Sequence, residues 1–540
     1  MTQSPVSAGI FERRWKWWFM LVVLVLVAGV RLRLLNFPLE RDEGEYAYSG
    51  QLMLQGIPPY ELAYNMKFPG TYAAYAVIMS IFGQTPAGIH FGVLLMTTAT
   101  ALMLFWLGKN ILDTTAGIVA ATSYAVLAAS PSMLGLAGHA THFAAFFVTG
   151  GLCMMWRARQ KGNWLAAFLS GLLFGLAVLM KQHAALIGAW AAISFAITCF
   201  RKTELPIQKR FLSITACAAG MILPFALCCL ILWHAGVFQK FWFWTIDYAR
   251  QYASVVPISY APQLFWHTYY RILEKSFLLW GISGGGLVLL WFDERLKPSR
   301  LWLLGFCLAS ALAVCPDFYF RKHYFLLTLP AAGLLAGCAV SVARRLWGQK
   351  AKSPRFADCP IWIYAIAIAL TVFLNSEIWF SLTPLQIARK TYGADPLPET
   401  EIVAQFIRDN SAPDTRIAVM GSEPAIYFLA HRHSATGYIY TYGLMEPQSF
   451  ARQMQDEMIR DLESNTPEFI VFADNIMSWN RRPDSDLKIF NWWDSYKTNY
   501  TLVGLADIIS PTETIYALGT NWIAHYGEVH GSGLEIYRRK

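Results

Sequence analysis

Four carboxylates crowd a short polar segment that follows the first long apolar run of the chain. Glu40, Asp42, Glu43 and Glu45 lie within six residues, interrupted only by Arg41 and Gly44. A carboxylate beside a membrane interface can take a proton from an attacking hydroxyl, which is general-base catalysis. Solvated loop charge is the alternative interpretation, because acids are common on exposed loops. The segment is therefore a candidate catalytic segment.

The histidines and cysteines do not form a metal-binding pattern. His139 and His142 could make a two-histidine pair, but a metal ion needs further ligands that this loop does not supply. Such histidines are more typical of loops and helix ends. The nine cysteines lie in or beside apolar segments, and no C-x-x-C occurs. We predict no metal site and no disulfide framework.

Long apolar runs dominate the elements that must position these residues. Hydrophobic residues make up 55% of the 540-residue chain and charged residues 15%, and a spanning helix needs about 20 apolar residues. Runs of that order begin near Trp17, Ala87, Ala116, Phe143, Trp164, Ala184, Phe211, Phe277, Leu301, Tyr324 and Ile361. The sequence predicts a polytopic α-helical membrane protein with about eleven transmembrane helices.

Basic residues in alternate loops predict the orientation of these helices. Loops on the cytoplasmic side of a membrane carry an excess of lysine and arginine. Every second predicted loop is rich in them: Arg157, Arg159 and Lys161; Arg201, Lys202, Lys209 and Arg210; Arg295, Lys297 and Arg300; Arg344, Arg345, Lys350, Lys352 and Arg355. The N-terminus is then cytoplasmic, and the first outer loop, about 31–86, faces outside. We predict a plasma membrane location, the bacterial inner membrane.

The remainder of the chain predicts a second domain with a different composition. Residues 384–540 alternate helix-like pieces, at 400–410, 450–464 and 491–496, with strand-like pieces, at 416–420, 469–473 and 500–505. This alternation favours a small α/β domain with a largely parallel sheet. An odd number of spans places this domain outside the cytoplasm. We therefore predict a transmembrane domain over 1–383 and an extracytoplasmic domain over 384–540.

Charge differs between these two parts and excludes nucleic acid as a partner. Residues 384–540 contain 14 Lys/Arg and 20 Asp/Glu, whereas the whole chain has a net charge of +9. A basic membrane part and an acidic tail indicate different surroundings. No run of basic residues is interleaved with stacking aromatic residues, as nucleic-acid binding would require.

Four segments on the predicted outer face resemble the motifs of one enzyme family. They are Asp42-Glu43 ahead of Tyr46, with the turn Gly56-Ile57-Pro58 and the element Lys67-Phe68-Pro69; Ser130-Pro131 through Ala140-Thr141-His142-Phe143; Gly175 to Gln182; and Arg321 to Leu326. Together they resemble the polyprenyl-phosphate-sugar-dependent membrane glycosyltransferases of the C-type superfold, which include protein O-mannosyltransferases and lipid A aminoarabinose transferases. The resemblance covers about residues 10–345. The family more often has Lys-Pro-Pro at Lys67, and an acidic residue at His142.

The resemblance implies roles for the first-loop acids. Asp42 would be the general base that activates the acceptor, and Glu43 would support it or orient the acceptor. The reverse pairing, with Glu43 as the base, stays open. Inversion at the anomeric carbon is expected, because one carboxylate and one displacement suffice. A divalent cation is possible as a cofactor, since relatives differ in their need for one.

The resemblance also implies a pocket for the donor phosphate. Lys67 would stabilise the leaving phosphate, with Arg321, Lys181 and His323 adding positive charge. Each has an alternative: the lysines can snorkel to lipid headgroups, and Arg321 can bind an anionic lipid.

Further residues are candidates for lining the substrates. They are Tyr46, Tyr60, His142, Asp247, Arg250 and Tyr324. Asp247 and Arg250 lie in a run rich in tryptophan and phenylalanine, which is typical of an interfacial aromatic belt. The alternative is a rim over the isoprenoid chain of the donor.

Three functions are compatible with these sequence features. The first is a membrane glycosyltransferase that moves a sugar from a polyprenyl phosphate to a lipid, glycan or protein acceptor on the extracytoplasmic face. The second is a polytopic transporter, which predicts ionisable residues inside the spans and related halves. The third is a non-catalytic envelope assembly protein, which would not need Asp42, Lys67 and Arg321 together. The acids crowd the outer loop, so the first hypothesis is favoured.

Overall fold

The computed structural model describes residues 6–201, 206–350, 354–510, 512–523 and 533–540, which are mostly helical. Two of the basic loop residues, Lys202 and Lys352, lie outside these ranges. The first residues of the predicted cytoplasmic N-terminus also lie outside them. The side chains of Lys161 and Arg355 are not described. Up to residue 381, the α-helices run over Val6–Arg33, Arg41–Leu54, Gly70–Phe82, Pro86–Ile111, Thr114–Ala128, Ala140–Lys161, Trp164–Met180, Ala185–Arg201, Ile207–His234, Phe238–Trp242, Ala249–Ala253, Ala261–Glu274, Phe277–Leu289, Arg300–Leu312, Leu329–Gly348, Pro354–Ala357 and Cys359–Leu374. The later α-helices run over Pro384–Tyr392, Glu399–Asp409, Ala425–Ala430, Tyr442–Met445, Ala451–Asn465, Ile476–Trp479, Lys488–Tyr496 and Thr520–Ile523.

The chain divides into two compact units that are discontinuous in sequence. The first comprises Met1–Leu34, Phe91–Cys228 and Ile258–Ser381. The second comprises Leu35–His90, Cys229–Pro257 and Leu382–Lys540. The acid-rich first loop thus belongs to the same compact unit as the tail, although more than 290 residues separate His90 from Leu382. The predicted division into 1–383 and 384–540 cuts the chain once, near residue 383, and it stays a prediction.

Long apolar helices identify an integral membrane protein. Among the described residues, five helical segments are long and apolar enough to cross a membrane: Trp15–Arg33, Pro86–Ile111, Gln182–Arg201, Ile207–His234 and Lys322–Gly348. A sixth follows if Ile258–Glu274 and Phe277–Leu289, which meet at 112°, count as one broken span. Helices occur at every predicted position, but several are shorter than a span requires. Length and composition alone give five or six spans, and the number eleven stays a prediction.

Small residues let the helices of the first unit pack closely. A Cβ atom on Gly337 would lie 2.3 Å from the carbonyl oxygen of Ala116 on a neighbouring helix. Backbones approach this closely only where a side chain is missing, as is common between membrane helices. Buried Arg31 donates to the carbonyl oxygens of Ala128 (2.9 Å) and Gly135 (2.8 Å). It thereby satisfies a backbone group at the end of helix Thr114–Ala128 that the helix itself leaves unpaired.

The second unit contains a six-stranded sheet. Its strands are β1 (Arg416–Met420), β2 (His433–Ser434), β3 (Phe469–Asp474), β4 (Tyr500–Ser510), β5 (Glu513–Leu518) and β6 (Gly533–Arg539), in the order β2-β1-β3-β6-β4-β5. β1 pairs in parallel with β2 and β3, whereas β6 pairs antiparallel with β3 and β4, and β5 antiparallel with β4. The prediction of a largely parallel sheet was therefore wrong. Only two residues separate β4 from β5 in the sequence, and strands so close along the chain pair antiparallel.

One glycine sets how the first-loop helix meets the tail within this unit. A Cβ atom on Gly44 would lie 2.7 Å from the backbone nitrogen of Ala425. Helix Arg41–Leu54 can therefore lie directly against helix Ala425–Ala430 only because residue 44 has no side chain. The acidic turn at the start of the first-loop helix is thus held against the tail.

Candidate functional site

A capping box orders the acidic turn of the first loop. The carboxylate of Glu40 accepts from the backbone nitrogen of Asp42 at 2.8 Å, and that of Glu43 accepts from the backbone nitrogen of Glu40 at 3.1 Å. The two bonds satisfy amide groups that a helix start otherwise leaves unpaired. Asp42 thereby occupies the first turn of helix Arg41–Leu54, where the helix dipole favours a negative charge.

Glu43 is committed to internal contacts. Its side chain is fully buried, and its Oε1 lies 3.0 Å from Nε2 of His90. Nδ1 of His90 lies 2.8 Å from the carbonyl oxygen of Leu35, which can only accept. Nδ1 is therefore suited to donate to that oxygen, and Nε2 faces the carboxylate of Glu43. The side chain of Asp42 is 21% exposed, so Asp42 is better placed than Glu43 to meet a substrate.

Lys67 bridges two carboxylates of the first-loop helix. Its Nζ lies 2.7 Å from Oδ1 of Asp42 and 2.5 Å from Oε2 of Glu45. Glu45 is fully buried, and its Oε1 accepts from the hydroxyl of Tyr72 at 2.5 Å. The ammonium group also lies 4.7 Å from the centre of the Tyr46 ring. The predicted residues Asp42, Lys67 and Tyr46 are thus brought together, and Glu45 joins them.

The charge of Lys67 is secured by these partners. Burial lowers the pKa of its amine, but the negative charges of Asp42 and Glu45 and their hydrogen bonds outweigh burial, so the pKa is raised. The predicted lining residue Tyr60 supports the same residue from behind, because its hydroxyl donates to the carbonyl oxygen of Lys67 at 2.7 Å. Tyr60 itself has a left-handed φ of 67°. Strained backbone of this kind persists where the surroundings require it.

A tail residue that the sequence did not point to completes the contacts of Asp42. The hydroxyl of Tyr440 donates to Oδ1 of Asp42 at 3.1 Å. The Tyr440 ring also lies 5.5 Å from Nζ of Lys67. Burial, followed by the charges of Asp42 and Glu45, raises the pKa of Tyr440 well above its usual value. Tyr440 therefore remains a hydrogen-bond donor.

Buried Arg41 fixes the start of the same helix to the tail. Its guanidinium pairs with Asp395 and, at 3.1 Å, with Glu423. It also contacts the hydroxyl of Tyr442 and donates to the carbonyl oxygen of Met477 at 3.0 Å. Such a planar fork can hold several acceptors at once. The acidic turn is therefore anchored by charge as well as by packing.

A second polar cluster lies within the first unit. Nζ of Lys181 lies 4.5 Å from the ring centre of Tyr324, whose hydroxyl donates to Oδ2 of Asp317 at 3.0 Å. His183 packs edge-on against Tyr324, with ring centres 4.6 Å apart. Burial raises the pKa of Asp317, while Lys181 and Arg321 act in the opposite direction. The predicted residues Lys181 and Tyr324 are thus brought together.

The loop that carries these residues has an unusual backbone. Asp317, Phe318 and Phe320 have φ values of 65°, 56° and 45°. Non-glycine residues rarely adopt left-handed conformations, and groups of them occur at functional sites. Arg321 follows directly; it is exposed, and its guanidinium lies 5.1 Å from the Tyr319 ring centre. The strained loop therefore presents an arginine at the surface.

The predicted histidines are buried in the first unit. The rings of His323 and His139 stack, with centres 4.3 Å apart and planes 11° apart. His142 is 2% exposed, and its Nε2 lies 3.3 Å from the carbonyl oxygen of Ala128. His142 therefore takes part in the packing at the end of helix Thr114–Ala128.

Asp247 and Arg250 lie on or beside a π-helix, Phe243–Tyr248, and both are exposed. The aromatic residues of this run largely face inwards: Trp244 stacks on Tyr64 at 5.3 Å, and the Tyr248 hydroxyl donates to Glu446 at 2.8 Å. Much of the predicted aromatic belt thus forms the core of the second unit.

Comparison with known sequences finds similarity to proteins named as mannosyl and arabinosyl transferases. The family described as dolichyl-phosphate-mannose-protein mannosyltransferase matches residues 67–244. Proteins named undecaprenyl phosphate-alpha-4-amino-4-deoxy-L-arabinose arabinosyl transferase are similar: that of Edwardsiella ictaluri is 26% identical over 63% of this chain and 61% of its own length. That of an Enterobacter species is 26% identical over 66% of this chain and 65% of its own length. The chain thus spans less than two thirds of these relatives.

Solved structures extend the similarity to nearly the whole fold. ArnT from Cupriavidus metallidurans bound to undecaprenyl phosphate has a TM-score of 0.61 at 14% identity, over 96% of this chain and 97% of that one. The oligosaccharyltransferase AglB from Archaeoglobus fulgidus, in complex with an inhibitory peptide and a dolichol-phosphate, has a TM-score of 0.53 at 14% identity, over 94% and 75%. The chain has the fold of these two membrane transferases, and the resemblance predicted from its sequence is confirmed.

Proposed function

We propose that this chain is a membrane glycosyltransferase that moves a sugar from a polyprenyl phosphate to a lipid, glycan or protein acceptor. One observation carries the proposal: Asp42 is a partly exposed carboxylate held by Lys67 and Tyr440, in a chain with the fold of ArnT. The names of the sequence relatives support the same class of reaction. A transporter does not need a base oriented in this way.

Asp42 acts as the general base. The acceptor hydroxyl or amine attacks the anomeric carbon, its proton passes to the Asp42 carboxylate, and the bond from that carbon to the phosphate oxygen breaks. The polyprenyl phosphate leaves with the bonding electrons. One displacement inverts the configuration at the anomeric carbon. The contact with Lys67 keeps the carboxylate ionised until the acceptor is bound.

Lys67 has two proposed roles, because it holds the base, Asp42, and also binds the phosphate of the donor. An ammonium group has three donors, and here Asp42 and Glu45 accept from it. The remaining donor is assigned to a phosphate oxygen of the donor substrate. Glu43 supports the helix start through its contact with His90 instead of taking the proton.

Basic side chains of the first unit are assigned to phosphate recognition. Arg321 is exposed on the strained loop, and Lys181 lies over the Tyr324 ring, so both can meet the growing negative charge of the leaving group. His323 is a weaker candidate because it is stacked on His139. A divalent cation would be a second source of positive charge. Loss of transfer on chelation, with recovery when the cation is restored, would assign that role to a metal.

The proposed topology has about eleven spans, with the N-terminus in the cytoplasm and the tail outside. Helices at all predicted positions support it, as does the alternation of basic loops. The shorter apolar helices, such as Trp164–Met180 and Cys359–Leu374, then complete their spans with flanking residues. The relatives favour the bacterial inner membrane as the location.

The test is a donor panel. Purified protein in lipid nanodiscs is incubated with polyprenyl phosphates that carry different pentoses and hexoses, together with a membrane extract as the source of acceptor. We expect one of these lipids to lose its sugar and release polyprenyl phosphate. No consumption of any donor by protein that still binds polyprenyl phosphate would contradict the proposal.

A further inference from the structure

A tail segment that follows β2 is held in place at several points within the second unit. Gly437 accepts from the backbone nitrogen of Tyr64 at 2.7 Å, and a Cβ atom on Gly437 would lie 2.2 Å from the Tyr64 ring. Thr441 is bonded on both sides: its backbone nitrogen donates to Ser422 Oγ at 3.0 Å, and its hydroxyl donates to the carbonyl oxygen of Ser478 at 3.1 Å. These contacts flank Tyr440 and fix the position of its backbone.

Tyr440 reaches Asp42 across a long stretch of sequence. Its hydroxyl donates to the same oxygen, Oδ1, that accepts from Lys67. Two donors on one oxygen restrict rotation of the carboxylate, and they stabilise its ionised form. Tyr442, two residues on, takes part in the anchor around Arg41, so the segment and the helix start are connected twice.

We propose that Tyr440 is a positioning residue for Asp42, which orients the carboxylate and holds it ionised, so that the tail supplies part of the proposed catalytic machinery. The inference rests on the proposed function, because it assigns Tyr440 a task only if Asp42 is the base. A phenol suits this task because it donates one hydrogen bond without adding charge. The tail is then required for chemistry as well as for folding.

Several other groups of the second unit also act on the charge of Asp42. Glu40, Glu43 and Glu45 lie on or beside its own helix, and Lys67 lies opposite. The tyrosines that feel its charge are Tyr46, Tyr75, Tyr392 and Tyr440. Among these tyrosines, Tyr440 has a hydroxyl bonded to Asp42. Removing that hydroxyl therefore changes one contact and leaves the charges in place.

The experiment compares pH profiles of kcat/KM for full-length variants in nanodiscs, with the donor identified by the panel. Tyr440→Phe removes the hydrogen bond, so the acid limb should move upward by about one pH unit, with activity recovering at higher pH. Tyr438→Phe is the matched control, because Tyr438 lies in the same segment as Tyr440 but its hydroxyl donates to Glu457, at 3.0 Å, instead of to Asp42. Its profile should coincide with that of the unsubstituted protein.

A second variant guards against a general loss of structure. Tyr440→fluorotyrosine keeps the shape but makes the phenol a stronger donor, so the acid limb should move downward. Opposite shifts in the two variants support the inference. Unshifted profiles in both, with Asp42→Asn inactive, would overturn the inference and leave the proposed function intact. Full activity of Asp42→Asn would instead overturn the proposed base.

Discussion

Lys67 is the residue on which the candidate site depends most. Its ammonium group faces the carboxylates of Asp42 and Glu45, and the side chain of Glu45 is fully buried. Without the positive charge of Lys67, these two carboxylates would repel each other at close range. The same ammonium group packs over the Tyr46 ring. A lysine that merely snorkels to lipid would not be held by so many protein groups, so the snorkelling alternative is disfavoured.

Replacing Lys67 with alanine should impair catalysis strongly. The loss of a charge-assisted hydrogen bond corresponds to about 1.5–3 kcal/mol, and the proton affinity of Asp42 should rise. Lys67→Arg should not rescue, because a fork cannot reproduce the point charge between two carboxylates. Steady-state kinetics on the identified donor measure the effect. Lys240→Ala is the control, since that amine donates to the Tyr64 hydroxyl at 2.8 Å and to no catalytic acid. Equal kinetics in both variants would refute the assignment.

Glu43 should behave as a structural residue. Glu43→Gln keeps an acceptor for the capping box but replaces the charged contact with His90 by a neutral one. We therefore expect a lower melting temperature with little change in turnover. Thermal unfolding in detergent, together with initial rates, separates the two effects. If Glu43→Gln abolished transfer in a fully stable protein, Glu43 and not Asp42 would be the base.

At the scale of residues, the sequence pointed to members of the candidate site whose contact is local along the chain. Asp42 and Lys67 are 25 residues apart, and residue type together with the motif spacing pointed to both. Tyr440 is 398 residues from Asp42, and Asp395 and Glu423 are as remote from Arg41. No pattern in a single sequence links positions so distant, because their contact arises only from the fold. Acidic residues in a tail look like ordinary surface charge.

At the scale of elements, the first-loop helix and the tail form one arrangement in the second unit. Gly44 permits the approach to helix Ala425–Ala430, and Arg41 then reaches Asp395 and Glu423. The capping box holds the carboxylates of Glu40 and Glu43 at the helix start, whereas the side chain of Asp42 stays 21% exposed. The packing of one helix therefore determines the geometry of the proposed base.

Gly44→Ala tests that packing. The added methyl group would meet the Ala425 backbone at 2.7 Å, and overpacking of this kind typically destabilises by about 1–3 kcal/mol. We expect a lower melting temperature and slower transfer. Gly29→Ala is the matched control, because nothing lies within 4 Å of a Cβ there. It should be neutral or slightly stabilising, since alanine favours helix. Equal behaviour of the two variants would contradict the packing argument.

Prediction of the tail elements depended on the length and strength of each pattern. The strand at Arg416–Met420 and the helix at Ala451–Asn465 were predicted almost to the residue. β5 and β6 were missed, because Glu513–Leu518 and Gly533–Arg539 alternate only partly exposed residues and lack a continuous apolar run. Missing these two strands caused the incorrect parallel assignment of the sheet.

On the scale of the whole molecule, the two units explain why a linear division of the chain is insufficient. Residues 35–90 and 229–257 belong to the same compact unit as the tail and not to the unit of the helices that flank them in sequence. Hydropathy detects apolar runs, but it carries no information on which unit a polar loop joins. The difference in charge between the acidic tail and the basic membrane part nevertheless predicts two different environments.

The orientation of the chain can be tested with reporter fusions. Basic loops predict that a fusion at Lys350 is cytoplasmic, and that fusions at Gly437 or at Lys540 are outside. An enzyme reporter active only in the cytoplasm, paired with one active only outside, measures both. A cytoplasmic signal at Gly437 would reverse the side on which Asp42 lies.

The most direct test of the central claim is transfer by Asp42→Asn. The substitution keeps the shape of the side chain and removes its capacity to accept a proton. Loss of a general base typically slows a reaction about 10²–10⁴-fold. We predict a loss of that size in single-turnover transfer, with donor binding and melting temperature little changed. An Asp42→Asn protein that transfers sugar at the normal rate would contradict the account.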